Sequence, residues 1–149
     1  MSGSGRRNAA ETAQAPGGTV IDTVAWLHLH DGRVLATRSA GKRLFYVPGG
    51  KRNPGESDLD TLVREAAEEL TVTLDADSAR HFGTYRAAAD GHGVGVTVTM
   101  ACYTAGFRGT PVASGEIAEV VWLSYADRDR TAPVDRLLFD DLRAAGLLL

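Results

Sequence analysis

The sequence predicts one α/β domain in which two helices are layered on a mixed sheet. Three observations carry that expectation. Apolar residues alternate with small or polar ones from Val94 to Cys102, the period of a strand with one buried face. Two stretches, Leu59 to Leu70 and Leu137 to Leu142, repeat their apolar residues at helical spacing. A length of 149 residues suffices for one domain with a proper core and leaves no room for a second.

Residues 1 to about 18 are rich in Gly, Ser and Ala around Arg6-Arg7 and show no periodicity, so a flexible tail is expected there. The domain is expected to span 19–149. Val20 to His30 is expected as a strand, Asp31-Gly32 as a hairpin turn, and Arg33 to Arg38 as the strand that pairs back. Phe45 to Val47 is expected as a short strand that enters a loop rich in Gly and Pro. A helix follows, with Ser57 as its N-cap and Asp58 and Asp60 in the first turn, where carboxylates complement the helix dipole. Leu74 to Arg80 is a connection, and His81 to Ala87 and Val94 to Ala105 are strands about the turn Asp90-Gly91-His92-Gly93. Glu119 to Leu123 is a further strand. Thr131 is expected to cap a last helix with Pro133 in its first turn, Leu137, Leu138 and Leu142 inward and Gly146 as its stop.

Composition narrows the function classes. With 44% hydrophobic and 23% charged residues the chain is ordinary for a globular protein, and a net charge of -3 argues against a basic nucleic-acid-binding surface. No apolar run approaches bilayer-spanning length and no hydrophobic signal core is present, so no membrane partner and a cytoplasmic location are expected. The single cysteine cannot form an internal disulfide. Cys102 lies on the apolar face of an alternating strand, the place of a core residue and not of a nucleophile. Trp26, His28 and His30 share one strand face, but no Cys/His spacing joins them to His81 or His92 as a metal site.

The chemistry concentrates between Gly50 and Val72. Placed on a helix, Leu59, Leu62, Val63, Ala66 and Leu70 form one stripe, and Glu65, Glu68 and Glu69 form the stripe beside it. Like charges at these spacings repel, each pair costing about 0.2–0.5 kcal/mol on an isolated helix. A divalent cation reverses that sign. Hard ions such as Mg²⁺ take carboxylate oxygens and keep several waters, which suits a site that also receives phosphates. A Glu-rich face is most often only a solvated helix surface. Here it follows Val47-Pro48-Gly49-Gly50 and Asn53-Pro54-Gly55, two turn signals that let the backbone double back beside the helix start.

Gly50, Glu56, Arg64, Glu65, Ala66, Glu68, Glu69 and Val72 match the spacing of the Nudix box, and Thr71 stands where that box usually has Gly. The chain therefore resembles the Nudix hydrolase family. The resemblance implies an α/β/α sandwich with a mixed β-sheet and hydrolysis of a nucleoside diphosphate linked to another group, with Mg²⁺ or Mn²⁺ as cofactor and a small nucleotide as partner. It also allows a homodimer. Carried over residue by residue, it makes Glu65, Glu68 and Glu69 metal ligands, joined by the Gly50 carbonyl. Glu65 or Glu69 would also deprotonate the attacking water, and Glu56 and Arg64 would form a structural salt bridge. Glu116, in the loop before the strand that carries Trp122, fits the place of a further acidic metal ligand better than Glu119 does.

Arg38 and Lys51 are the basic residues expected where the site opens, ahead of Lys42 and Arg43, and both are candidate substrate contacts. Phe45, Tyr46, Tyr85 and Tyr103 are candidates to stack on a base. Two other classes compete. A Nudix-like sensor module that binds a nucleotide without cleaving it would be expected to have lost box carboxylates, and this chain keeps all four. An isomerase acting on isopentenyl diphosphate would need a cysteine in a polar loop. Because Thr avoids positive φ, the helix is expected to exit without a left-handed residue at Thr71.

Overall fold

The structure is a computed structural model, and it describes residues 18–149. Of the expected tail, residues 1–17 lie outside the described residues. The strands are β1 (Thr19–Trp26), β2 (Leu29–His30), β3 (Arg33–Ser39), β4 (Gly49–Lys51), β5 (Thr73–Leu74), β6 (Arg80–Ala88), β7 (Val96–Thr104), β8 (Phe107–Arg108) and β9 (Ile117–Leu123). The helices are α1 (Asp58–Leu70) and α2 (Pro133–Ala144). Four strands form a mixed sheet in the order β4-β1-β7-β6, with β1 and β7 parallel and the other pairs antiparallel. A three-stranded antiparallel sheet, β2-β3-β9, lies beside it, and β5 pairs with β8.

Two apolar clusters explain the layering. Val24 and Trp26 of β1 and Leu35 of β3 pack with Leu62, Ala66 and Leu70 of α1. Ala25, Leu27, Val34 and Ala36, the alternate residues of the same strands, pack with Val134, Leu138, Phe139 and Leu142 of α2. Both faces are thus buried at the end of β1 formed by Val24, Ala25 and Trp26 and along the middle of β3, one under each helix, and the result is the α/β/α sandwich.

Several local expectations change. The first strand breaks after Trp26, so His28 falls between β1 and β2, although its ring still stacks on Trp26 at 4.9 Å and 2°. Asp31 (φ 51) and Gly32 (φ 74) form the hairpin turn, both left-handed as a two-residue loop between twisted strands requires. Phe45 to Val47 is no strand. Tyr46 makes one bridge to Thr37 and Phe45 one to Thr131. The connection after α1 contains β5 and a short 3-10 turn, Ala76–Ser78. Val94 sits fully exposed in the turn before β7. Ala132, not Thr131, is the N-cap of α2, because the Thr131 hydroxyl donates instead to the Arg128 carbonyl at 2.6 Å. Leu137 is exposed and Asp135, two residues earlier, is buried, while Leu138 and Leu142 are fully enclosed. Gly146, at φ 75, follows the end of α2.

The start of α1 follows the sequence closely. Ser57 Oγ accepts from the Asp60 N–H at 3.0 Å and Asp60 Oδ2 accepts from the Ser57 N–H at 3.1 Å, a reciprocal capping box. Its end does not. Thr71 is left-handed, with φ 60 and ψ 26, which corrects the expectation of an ordinary exit. Leu70 and Val72 on either side are both buried, so the chain must turn sharply between them, and that burial offsets the strain at Thr71. The segment after β8 then caps the helix, with the Val112 and Ser114 N–H groups donating to the Leu70 and Glu69 carbonyls at 2.9 Å each.

Candidate active site

The Gly/Pro loop fixes one wall of the site. Gly49 and Gly50 pair with Ala25 and Val24 of β1. A Cβ on Gly49 would lie 2.1 Å from the Val24 carbonyl oxygen, and one on Gly50 would lie 2.5 Å from the Glu65 carboxyl carbon. Only glycine at 49 lets the two backbones approach this closely, whereas a side chain at 50 would displace the flexible end of Glu65.

Arg64 ties that loop to α1. Its Nε donates to Glu56 Oε2 at 2.7 Å, and its Nη2 donates to Glu56 Oε1 at 2.9 Å and to the Lys51 carbonyl at 3.0 Å. The Asn53 N–H and the Thr61 hydroxyl also donate to Glu56 Oε1, at 2.8 and 3.0 Å. The Arg64 guanidinium, helped by these donors, holds the Glu56 carboxyl down at about 2. Arg64 Nη1 reaches the other stripe, donating to Glu65 Oε2 at 2.8 Å and to Glu68 Oε1 at 3.3 Å.

Glu69 stands apart from Arg64. Its Oε1 accepts from the Gly49 N–H at 3.1 Å. Burial, then the charge of Glu65, pushes its carboxyl up to about 8 against the pull of that hydrogen bond, with Glu68 and Glu116 adding to the rise. Glu116 is delivered by the segment that caps α1. The Ser114 N–H donates to the Glu69 carbonyl, and a Cβ on Gly115 would come within 3.3 Å of the Glu68 carbonyl oxygen. Glu119 faces elsewhere, paired with Arg38 at 2.7 Å.

A cavity of about 820 Å³ opens where these elements meet. Glu65, Glu68, Glu69, Glu116, Gly50 and Lys51 all line it. Ile21, Ala25, Val98, Met100 and Val134 add apolar lining. As the side chains stand, no three His, Cys, Asp or Glu side chains among the described residues are grouped to hold one metal ion. The hydrogen bonds explain this, since Arg64 draws Glu65 and Glu68 toward itself while Glu69 turns to Gly49. The donor set nevertheless fits a hard cation, being all oxygen, anionic and mutually repelling.

Arg38 is not brought into the cavity. Thr37 and Ser39, its neighbours along β3, line the wall, while Arg38 points the other way to Glu119 and to the Lys42 carbonyl. Lys42, ranked behind it on sequence, lines the cavity instead. Asp90 and His92 also line it, and Tyr46 donates to Asp90 Oδ2 at 3.1 Å across the opening. The sequence of that loop signals only a turn. Of the aromatic candidates Tyr46 alone lines the cavity. Phe45 is buried beneath the Arg130 guanidinium, and the Tyr85 and Tyr103 hydroxyls donate to Asp141 and Asp58. Cys102 is fully buried, and burial pushes its thiol well up.

The sequence matches the NUDIX domain over residues 17–142. No curated protein matches it. Among solved structures it is similar to the E. coli ORF135 protein, at 27% identity and a TM-score of 0.68, over 89% of this chain and 97% of that one. The MutT protein from Methanosarcina mazei Go1 is 22% identical with a TM-score of 0.69, over 87% and 96% of the two chains. The MutT NUDIX hydrolase from Burkholderia pseudomallei is 20% identical with a TM-score of 0.66, over 82% and 97%. Likenesses at the identities of the last two speak for the fold alone.

Proposed function

The chain belongs to the Nudix family, and from that premise we propose that it hydrolyses a diphosphate linkage in a small nucleotide, either a nucleoside triphosphate or a nucleoside diphosphate joined to another group. One observation carries the proposal. Glu65, Glu68, Glu69 and Glu116 line a single cavity with Gly50 and Lys51, and apolar side chains line the same cavity. The carboxylates and the Gly50 carbonyl would hold Mg²⁺ or Mn²⁺. Such an ion, when bound, neutralises phosphate charge and acidifies water.

The chain's own residues supply the rest. Glu69, held through one oxygen by the Gly49 N–H, is a candidate to take a proton from water once a cation offsets the effects of burial and carboxylate repulsion that raise it, and Glu65 is the other candidate for that step. Arg64 holds Glu65 and Glu68 ready at the cavity wall and is itself fixed by Glu56. Water attacks phosphorus in line and the phosphate beyond leaves, so no protein nucleophile is required. The burial of Cys102 in the core argues against the isomerase chemistry. Retention of every box carboxylate argues against a sensor that binds without cleaving. Among the described residues no helix is long and apolar enough to cross a membrane.

The test is phosphate and pyrophosphate release from a panel of nucleotides with Mg²⁺. Cleavage of at least one by the wild type, lost in Glu69→Gln, supports the proposal, whereas binding of a nucleotide without cleavage favours the sensor.

A further inference from the structure

Among the described residues the cavity is lined by two lysines and no arginine, and of the two only Lys51 follows the box glycine. We propose that Lys42 is a contact for the anionic part of the substrate and that Arg38, turned outward, is the positioning residue that sets it. The identity of that anion as a phosphate chain rests on the hydrolase proposal above.

Lys42 has an exposed side chain on a backbone held from three directions. Its N–H donates to the Ser39 carbonyl at 3.0 Å, closing a turn through Gly41 at φ 80. The Ala40 N–H donates to the Glu116 carbonyl at 2.8 Å, which joins the turn to the segment that carries a candidate metal ligand. Arg38 Nη1 donates to the Lys42 carbonyl at 3.0 Å, and Arg38 Nε is anchored on Glu119 Oε1 at 2.7 Å. A surface lysine that serves only solubility has no use for such anchoring. The arrangement holds the Lys42 stem at the cavity wall and leaves its ammonium able to follow a ligand.

Charge makes the contact necessary. Glu65, Glu68, Glu69, Glu116 and Asp90 all line the cavity, so a polyanion entering it meets five carboxylates. Cations held by the glutamates would offset part of that repulsion. The nearby arginines are already committed, Arg64 to Glu56 and Arg52 to Asp22 and Asp58. A lysine ammonium is a compact charge on a flexible stem, suited to a phosphate oxygen whose position changes as a bond breaks. A guanidinium bound on two sides, like that of Arg38, is suited to holding backbone.

The test uses inorganic triphosphate with Mg²⁺ as a base-independent probe, titrated calorimetrically into the full chain. Lys42→Met is expected to weaken binding about tenfold, and Lys42→Arg to restore most of it. Arg38→Met is expected to weaken binding about threefold, yet to add nothing on top of Lys42→Met, because it acts through the same ammonium. With a nucleotide that the wild type cleaves, the same variants should raise KM and leave kcat within about twofold. Binding by Lys42→Met within about twofold of wild type overturns the assignment of Lys42, as does a wild type that binds no triphosphate. An Arg38→Met effect that multiplies with that of Lys42→Met overturns the positioning role. A wild type that binds triphosphate through Lys42 but cleaves no nucleotide sinks the hydrolase proposal and leaves Lys42 standing.

Discussion

At the residue scale the chemistry rests on how carboxyl groups are handled when they lose water. The Glu69 carboxyl, raised to about 8 by burial and by the glutamates around it, tolerates a neutral isostere, so Glu69→Gln should keep the fold, and loss of the proposed general base should lower kcat by about 10²–10⁴. Circular dichroism beside steady-state kinetics checks both halves. Asp135 is a second case, away from the chemistry. It is fully buried, its Oδ2 accepts from the Val47 N–H at 2.6 Å, and its Oδ1 has no partner among the described residues. Burial lifts its carboxyl from 3.8 to about 7. The folded state therefore binds this proton more tightly than the unfolded chain does. The contribution to stability is fully present below pH 3.8 and is lost as pH rises to about 7. Urea unfolding at pH 5 and pH 8 should show a wild-type decline on the order of 2 kcal/mol beyond that of Asp135→Asn, since each tenfold difference in proton affinity is worth about 1.4 kcal/mol. Equal declines in the two proteins would mean that Asp135 is not the titrating group.

At the element scale α1 was legible from its start to its charged stripe. Ser57 and Asp60 are neighbours along the chain, and the i, i+3, i+4 spacing of Glu65, Glu68 and Glu69 places them on one side of any helix. The end of α1 was illegible for the same reason in reverse. What turns Thr71 left-handed is the burial of Val72 and the capping of Leu70 and Glu69 by residues 112 and 114, and none of this is local in sequence. Thr71→Gly should relieve the strain and raise stability by about 1 kcal/mol, measured by thermal melting, with little effect on kcat. No gain, or a loss, would mean that the threonine side chain contributes more than its backbone conformation costs. β3 gives a similar lesson. Counting residues places Arg38 near the opening, but pairing with β9 sets Arg38 opposite Glu119, and the irregularity between Arg38 and Ser39 decides which side chains reach the cavity. A strand's two faces cannot be assigned until its partner is known. The inward Leu137 failed likewise, because the register of α2 follows Leu138, Phe139 and Leu142.

At the scale of the whole molecule the sandwich explains why the site lies where it does. The end of β1 formed by Val24, Ala25 and Trp26 is buried on both faces between the helices and pairs with β4, so Gly49 and Gly50 are carried to the edge of the core beside α1. The segment before β9 brings Glu116 to the same place from the far end of the chain. A site assembled from β4, α1 and that segment should be strengthened by the ion proposed to bind there. Mg²⁺ is expected to raise Tm by a few degrees in the wild type and by less in a Glu65→Gln, Glu69→Gln double variant, as ligand binding to the folded state requires. Equal shifts in both would place the ion elsewhere. Hydrolysis itself is read most plainly from phosphate and pyrophosphate release across a panel of nucleoside triphosphates and nucleoside diphosphate derivatives with Mg²⁺, run in parallel on wild type and Glu69→Gln. The wild type should cleave at least one member, and the variant should cleave it at least about a hundredfold more slowly. A wild type that cleaves none, or a variant that keeps pace with it, would overturn the catalytic assignment of this site.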